Sequence, residues 1–185
     1  MMRSAALSAA LLCALAPRAD AQGAAVMNAA TCNRSDTNQQ WLVNATHGAA
    51  HHQLSVEAQA ADAEERCAAL RVSAADCSVQ DFAFVSTDGC APASCADAQG
   101  FDLVDVKTKQ PAPAGKPCAD CVIRSRLNSS LCFGVGAELG GVSWKVSAVA
   151  GGKSLLEMIG SFGPLCLSSG FESDPYPISL QTCEY

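Results

Sequence analysis

A glutamine–tryptophan motif, N-Q-Q-W at 38–41, constrains the fold of this chain most, because degenerate copies of its surroundings recur further along. A weaker version, Q-D-F at 80–82, follows the next comparable cysteine. The chain's other tryptophan opens W-K-V-S-A-V-A-G-G, which reads much like the W-L-V-N-A-T-H-G-A of the first motif. A short unit used three times predicts a repeat fold rather than an enzyme domain built around one site. The motif residues of the three units are Gln39, Trp41, Gln80, Phe82 and Trp144.

The first 21 residues have the composition of a signal peptide. Arg3 supplies a positive start, residues 5–16 are apolar, and Ala19-Asp20-Ala21 fits the small-residue cleavage pattern before Gln22. The apolar run is too short for a bilayer, which needs about 20 apolar residues. We therefore expect a secreted or lumenal protein without membrane insertion, with residues 22–185 forming one domain.

The cysteine count favours a disulfide framework. The chain has 11 cysteines, and removing Cys13 with the leader leaves an even number that can pair completely. Cys118-Ala-Asp-Cys121, with Cys90 and Cys95 nearby, could instead be half of a zinc site. A thioredoxin-like redox motif is disfavoured, because no strand–helix pattern surrounds the C-x-x-C. We predict disulfides, no metal and no cofactor.

The charge balance disfavours two classes of partner. Without Arg3, Arg18 and Asp20 of the leader, 12 basic and 18 acidic residues become 10 and 17, a net charge of −7. Nucleic acids and anionic membrane surfaces reward lysine and arginine. We therefore expect neither as a partner.

Short β-strands are the predominant predicted element. Two cysteine-centred patterns recur, an apolar segment that ends at a cysteine and a segment with the cysteine near its centre. The first occurs at 27–32, 72–77 and 178–183, and the second at 129–135, 163–169 and, in a poorer copy, 67–72. Alternating or β-branched runs add strands at 81–86, 101–107, 121–127 and 142–149. Many short strands separated by glycine-containing turns predict an all-β barrel or sandwich.

Two segments depart from that pattern. Residues 56–71 are rich in Ala, Glu and Gln and favour a helix. Residues 88–121 contain four cysteines and four prolines, which predicts an irregular, disulfide-held insertion in the middle lobe.

Together these motifs resemble the ricin B-type lectin domain. The resemblance rests on C-x-x-x-x-x-x-Q-x-W at 32–41, L-C-F-G-V at 131–135, L-C-L-S-S at 165–169 and I-S-L-Q-T-C at 178–183. It implies a β-trefoil of three lobes, in which the glutamine and tryptophan of each Q-x-W are chiefly core and turn residues. It also implies disulfides from Cys166 to Cys183 and from Cys67 to Cys77.

The resemblance also locates the family's sugar site. An aspartate lies two residues after the first cysteine of a lobe, an aromatic residue lies two before the second, and an asparagine precedes the Q-x-W glutamine. Only Asn38 matches. The acidic positions hold Ala69, Gly134 and Ser168, and the aromatic positions hold Ala30, Ala75 and Gln181.

A loop before the last cysteine offers replacements, since it contains Phe171, Glu172, Asp174 and Tyr176. A carboxylate and an aromatic ring on one loop suit sugar binding. The alternative is an ordinary surface loop, with Tyr176 packed between two prolines. The candidate carbohydrate-binding residues are Asn38, Asp174, Tyr176 and Gln181.

No catalytic constellation emerges. His47, His51 and His52 cluster, but without an H-E-x-x-H pattern a solvated cluster is favoured over a metal site. Glu64 and Glu65 are adjacent and would face different directions on a helix. No nucleophile elbow or phosphate-binding loop is present.

We therefore expect a non-catalytic carbohydrate-binding module whose partners are glycans or glycoproteins. The alternatives are a structural or protein-interaction trefoil, a module of a larger glycan-processing enzyme, or a cysteine-rich inhibitor that uses the 88–121 insertion. Three N-x-S/T acceptors for glycosylation occur, at Asn33, Asn44 and Asn128.

Overall fold

A computed structural model describes residues 25–45, 52–56, 66–70, 72–73, 75–79, 85–90, 96–113, 116–136, 142–160, 163–169 and 176–183. This part of the chain is all-β and antiparallel, with three short 3₁₀ helices and no α-helix. None of its helices is long and apolar enough to cross a membrane. The strands are β1 Ala25–Val26, β2 Asn28–Thr31, β3 Trp41–Ala45, β4 His52–Val56, β5 Arg66–Leu70, β6 Val85–Gly89, β7 Phe101–Asp105, β8 Cys118–Ser125, β9 Leu131–Val135, β10 Ser143–Ala148, β11 Ser154–Ile159, β12 Leu165–Ser168 and β13 Ile178–Thr182.

Six of these strands are paired in a cyclic order. The pairs β3/β4, β7/β8 and β10/β11 are each consecutive in the chain. Between them, β4 meets β7 at His52 and Phe101, β8 meets β10, and β11 meets β3 at Ser154 and Trp41. The order of neighbours therefore returns to the strand on which it began.

The remaining long strands form three two-stranded pairs, which we call the cap pairs. They are β2/β12, β5/β6 and β9/β13. A disulfide joins the two sides of each cap pair, and the three disulfides are Cys32–Cys166, Cys67–Cys90 and Cys132–Cys183. The described part of the chain therefore contains three consecutive strand pairs in the cyclic set and three disulfide-linked cap pairs.

The core lies on one face of the strands and follows the two-residue period of β structure. In S-W-K-V-S-A of β10, Trp144 and Val146 are buried while Lys145 between them is exposed. Phe101 of β7 meets Phe133 of β9 edge to face, with ring centroids 4.9 Å apart. Each such fully buried apolar side chain contributes about 1.5–3 kcal/mol to stability. Burial of this face is what selects the register of each strand.

A bulge in β8 explains the C-x-x-C motif. Cys118 lies opposite Val146 and Cys121 opposite Trp144, so three steps along β8 face two along β10. The extra residue turns both cysteines toward the same buried side, where they form a disulfide. In the structure the two cysteines are thus bonded to each other within one strand.

The two disulfide pairings implied by the resemblance are wrong, although all four cysteines are disulfide-bonded. Cys166 joins Cys32 rather than Cys183, because β12 pairs with the N-terminal β2. Cys183 joins Cys132, because β13 pairs with β9 over its full length.

Cys67 joins Cys90 rather than Cys77, because the described residues of the 72–77 segment do not form the predicted strand. Val72 makes only an isolated bridge to Val79, and Cys77 has a positive φ of 57° in the turn between them. Antiparallel pairing instead brings β6, which leads directly into Cys90, alongside β5.

Two other predictions fail on the same part of the chain. The helix expected over 56–71 is replaced at both ends by strands, β4 ending at Val56 and β5 covering Arg66–Leu70; residues 57–65 lie outside the described set. The insertion expected over 88–121 is not irregular throughout, since it contains β7, within the strand predicted at 101–107, and the start of β8. Burial of Phe101, Leu103 and Cys121 outweighs the local propensity for a loop.

The strands predicted at 27–32, 101–107, 121–127, 142–149 and 178–183 are confirmed as β2, β7, β8, β10 and β13, and the cysteine-centred segments 129–135 and 163–169 form β9 and β12.

Candidate functional site

Gln39 and Trp41 bind neighbouring backbone rather than facing solvent. The buried Gln39 amide donates from Nε2 to the Thr31 carbonyl at 3.0 Å and accepts from the Asn33 amide at 2.8 Å. Trp41 donates from Nε1 to the carbonyl of Leu167, 2.9 Å away on β12. The two side chains therefore fix the loop after Cys32 and connect β3 to a cap pair.

Asn38 lies on the surface side of that arrangement. Asp36 caps the Thr37–Gln39 turn by accepting the Asn38 backbone N–H at 2.9 Å. The Asn38 carbonyl in turn accepts the amide and the hydroxyl of Ser169 at 3.0 and 3.2 Å. Asn38 is half-buried and is bonded to Ser169, whereas Ser168 and Ser169, at the end of β12, are both buried. We call Asn38, Ser168 and Ser169 the Asn38 site.

The structure reveals a second glutamine–aromatic motif that sequence analysis missed. Gln99 ends the 3₁₀ helix Ala96–Gln99 and Phe101 begins β7, just as Gln39 ends the helix Thr37–Gln39 and Trp41 begins β3. Gln99 and Phe101 are both buried. The sequence signal that could have identified this motif is Q-G-F at 99–101, whose phenylalanine begins the alternating F-D-L-V-D. Gln80 and Phe82, the predicted counterparts, lie outside the described residues.

Trp144 occupies the corresponding place at the start of β10 without a glutamine two residues earlier, where Val142 stands instead. Its side chain is fully buried, and in the described part of the chain its Nε1 has no hydrogen-bond partner. Trp144 is thus a core residue, as predicted, but without the bond that Trp41 makes.

Each cap pair places one residue opposite the cysteine of its other strand: Ala30 faces Cys166, Asp88 faces Cys67 and Gln181 faces Cys132. Each of these residues lies two positions before the cysteine that follows its own strand, which is Cys32, Cys90 or Cys183. In the β5/β6 pair this position belongs to Asp88 and not to Ala75, as the sequence had suggested. No aromatic residue stands there in any of the three cap pairs.

Gln181 is a candidate contact that the fold uses internally. Its Nε2 donates to the Gly136 carbonyl at 2.5 Å and to the Ser179 hydroxyl at 3.3 Å. Its side chain also lies over Gly134, so closely that a Cβ atom added there would overlap the amide group. In the β9/β13 pair, the Gln181 side chain therefore fills the space beside the position that the resemblance assigns to an aspartate.

The last candidates contribute less to a site. Tyr176 is half-buried against the core, and its carbonyl accepts the Ala29 amide at 2.8 Å. Asp174 lies outside the described residues, as do Phe171, Glu172, His47 and His51. His52 belongs to β4.

The perturbed carboxylates act as turn caps. Asp105 accepts the Thr108 amide at 2.7 Å, and this bond, followed by one from the Thr108 hydroxyl, lowers the Asp105 pKa. Asp76 has a lowered pKa because the hydroxyl and then the amide of Ser78 donate to it. Neither has the raised pKa expected of a general acid at neutral pH.

The described side chains include one short ion pair and no metal-binding group. Asp102 and Arg124 face each other on β7 and β8 at 2.9 Å. Within the described ranges, no three His, Cys, Asp or Glu side chains are grouped so as to hold a metal ion.

The chain was compared with family models, with curated proteins and with solved structures, and none of the three comparisons found a match.

Proposed function

We propose that this protein is a secreted, non-catalytic carbohydrate-binding domain with a β-trefoil fold of ricin B type, and that it binds glycans at the Asn38 site. The cyclic pairing of six strands and the three disulfide-linked cap pairs support the trefoil. The disulfides also fit the oxidising environment of the secretory pathway.

The observation that carries the proposal is the position of Asn38 beside Ser168 and Ser169. The resemblance assigns sugar contacts to two positions of one lobe, the asparagine before Q-x-W and the second residue after the cap cysteine. Here those residues are Asn38 and Ser168, and the bonds from Ser169 to the Asn38 carbonyl bring them together. The half-buried Asn38 amide can exchange hydrogen bonds with sugar hydroxyls, whereas Ser168 and Ser169 are buried and would act by positioning Asn38.

The other two cap pairs support binding less well. The corresponding position in β5 is Ala69, which has no polar side chain, and in β9 it is Gly134, over which Gln181 lies. We therefore expect one weak site per chain, with useful affinity arising from multivalent presentation.

A glycan array followed by calorimetry tests this function. Asn38→Ala should weaken binding of the best glycan about tenfold, equivalent to about 1.4 kcal/mol. Gln40→Ala is the matched control, since Gln40 lies two residues away and bonds outward to the Arg34 carbonyl at 2.8 Å. Absence of binding to any neutral or acidic sugar at millimolar concentration would refute the proposal.

The second candidate is a structural or protein-interaction trefoil. It is favoured by the absence of an acidic residue two positions after the cysteine within β5, β9 and β12, where Ala69, Gly134 and Ser168 stand. This function predicts binding to an extracellular protein partner that enzymatic deglycosylation of that partner leaves unchanged. Loss of binding on deglycosylation would decide for the carbohydrate-binding function.

A further inference from the structure

We infer that Asn33 and Asn128 are attachment sites for N-linked glycans. The inference rests on passage of the chain through the secretory pathway and is independent of sugar binding at the Asn38 site. Both residues begin an N-x-S sequence, Asn33-Arg-Ser35 and Asn128-Ser-Ser130. Both asparagines and both terminal serines are exposed.

The two side chains share one geometry. Asn33 Oδ1 accepts the Ser35 amide at 3.0 Å, and Asn128 Oδ1 accepts the Ser130 amide at 3.0 Å. The Ser130 hydroxyl donates to the same Asn128 oxygen. Because the oxygen of each amide is directed at its own serine, the Nδ2 atom points the other way. In the described part of the chain, neither Nδ2 donates a hydrogen bond.

The backbone at both positions is held independently of Nδ2. The Asn33 amide donates to Gln39 at 2.8 Å, and its carbonyl accepts from Asp36 at 3.0 Å. The Asn128 carbonyl accepts the Leu131 amide at 3.0 Å, at the start of β9. A glycan on either Nδ2 is therefore accommodated without breaking a bond of the fold.

The two positions also have related places in the architecture. Asn33 follows Cys32 of the β2/β12 pair, and Asn128 precedes the β9/β13 pair, where the Cys183 amide donates to the Ser130 carbonyl at 2.9 Å. The glycans would thus stand at the ends of two cap pairs. The side chain of Asn44, the third acceptor in the sequence, lies outside the described residues.

The reaction is a glycosyl transfer from a lipid-linked oligosaccharide pyrophosphate. The asparagine Nδ2 attacks the anomeric carbon, an N–C bond forms, and the bond from that carbon to the pyrophosphate oxygen breaks. The lipid pyrophosphate leaves with the electron pair, and the amide loses one proton. No oxidant or reductant is required.

Expression of the full chain in a eukaryotic secretory host tests the inference. The secreted protein is digested with a peptide N-glycosidase, which converts each occupied asparagine to aspartate, and the sites are read by peptide mass spectrometry. Variants Ser35→Ala and Ser130→Ala remove each acceptor sequence while retaining the asparagine. Arg34→Ala and Ser129→Ala are the matched controls, because each leaves N-x-S intact.

We expect occupancy at both asparagines in the wild type, complete loss at Asn33 in Ser35→Ala, and complete loss at Asn128 in Ser130→Ala. Both controls should retain the glycans. Unmodified Asn33 and Asn128 would overturn the inference, whether the chain is secreted or retained in the cell. Because the readout is mass, a negative result is distinguishable from a failure of glycan binding, which the unglycosylated protein tests separately.

Discussion

The two tryptophans provide a matched test of the fold. Both are fully buried, but within the described residues only Trp41 has a bonded indole N–H, donated to Leu167 on β12. Replacing either tryptophan by phenylalanine removes the same ring atoms and therefore imposes a similar packing cost. Trp41→Phe additionally deprives a buried carbonyl of its donor, a loss of about 1–2 kcal/mol. Trp144→Phe removes a buried N–H for which the described part of the chain offers no partner, and so it incurs no such additional cost.

Urea unfolding, followed by far-UV circular dichroism and by fluorescence of the remaining tryptophan, measures the difference. At an m-value of about 2 kcal/mol/M, the Trp41→Phe midpoint should lie roughly 0.5–1 M below that of Trp144→Phe. The m-values of the two variants must agree for the midpoints to be compared. Equal midpoints, or a lower midpoint for Trp144→Phe, would refute the assignment of the Trp41–Leu167 bond as a link between β3 and β12.

Three further predictions concern the cap pairs and turns. Replacing Cys32 and Cys166 by alanine opens a disulfide of sequence separation 134 and should lower the free energy of unfolding by about 5 kcal/mol. The matched Cys118/Cys121 change, of separation 3, should cost only about 1.5 kcal/mol, and calorimetric unfolding ranks the two. Gly134→Ala should destabilise by about 1–3 kcal/mol through contact with the Gln181 side chain; a double-mutant cycle in which Gln181→Ala restores nothing would contradict that contact. The lowered pKa of Asp105 stabilises the fold above the unfolded value of 3.8, and this contribution disappears as the pH falls through the folded pKa. Wild type should therefore be more stable than Asp105→Asn at neutral pH, with the gap closing in acid; a gap that persists at low pH would show that charge is not its cause.

Local sequence identified most of the strands and the role of the first motif. Alternation in W-K-V-S and the cysteine-centred segments predicted β10, β9 and β12, because one buried face imposes a two-residue period on any strand. Gln39 and Trp41 were likewise expected in the core and turn, where they are found. Asn38 stood out from its position beside the motif, but its neighbours Ser168 and Ser169 are about 130 residues away in the chain.

The errors arose where distant partners override local preference. Residues 66–70 favour a helix by composition, yet pairing with β6 and a disulfide to Cys90 make them a strand. A strand was predicted from Phe101, but its motif with Gln99 was missed in a segment rich in cysteine and proline, because propensity does not show which side chains a sheet will bury.

The sequence by itself determined the all-β class, the alternating core and the disulfide-bonded state of Cys67, Cys77, Cys166 and Cys183, since these follow from periodicity and composition. Only the tertiary structure decided which cysteines pair. Cys183 bonds to Cys132 because β13 lies alongside β9, and Cys166 bonds to Cys32 because β12 lies alongside β2. Backbone hydrogen bonds in a sheet are satisfied by whichever strand lies alongside, whatever its distance in sequence.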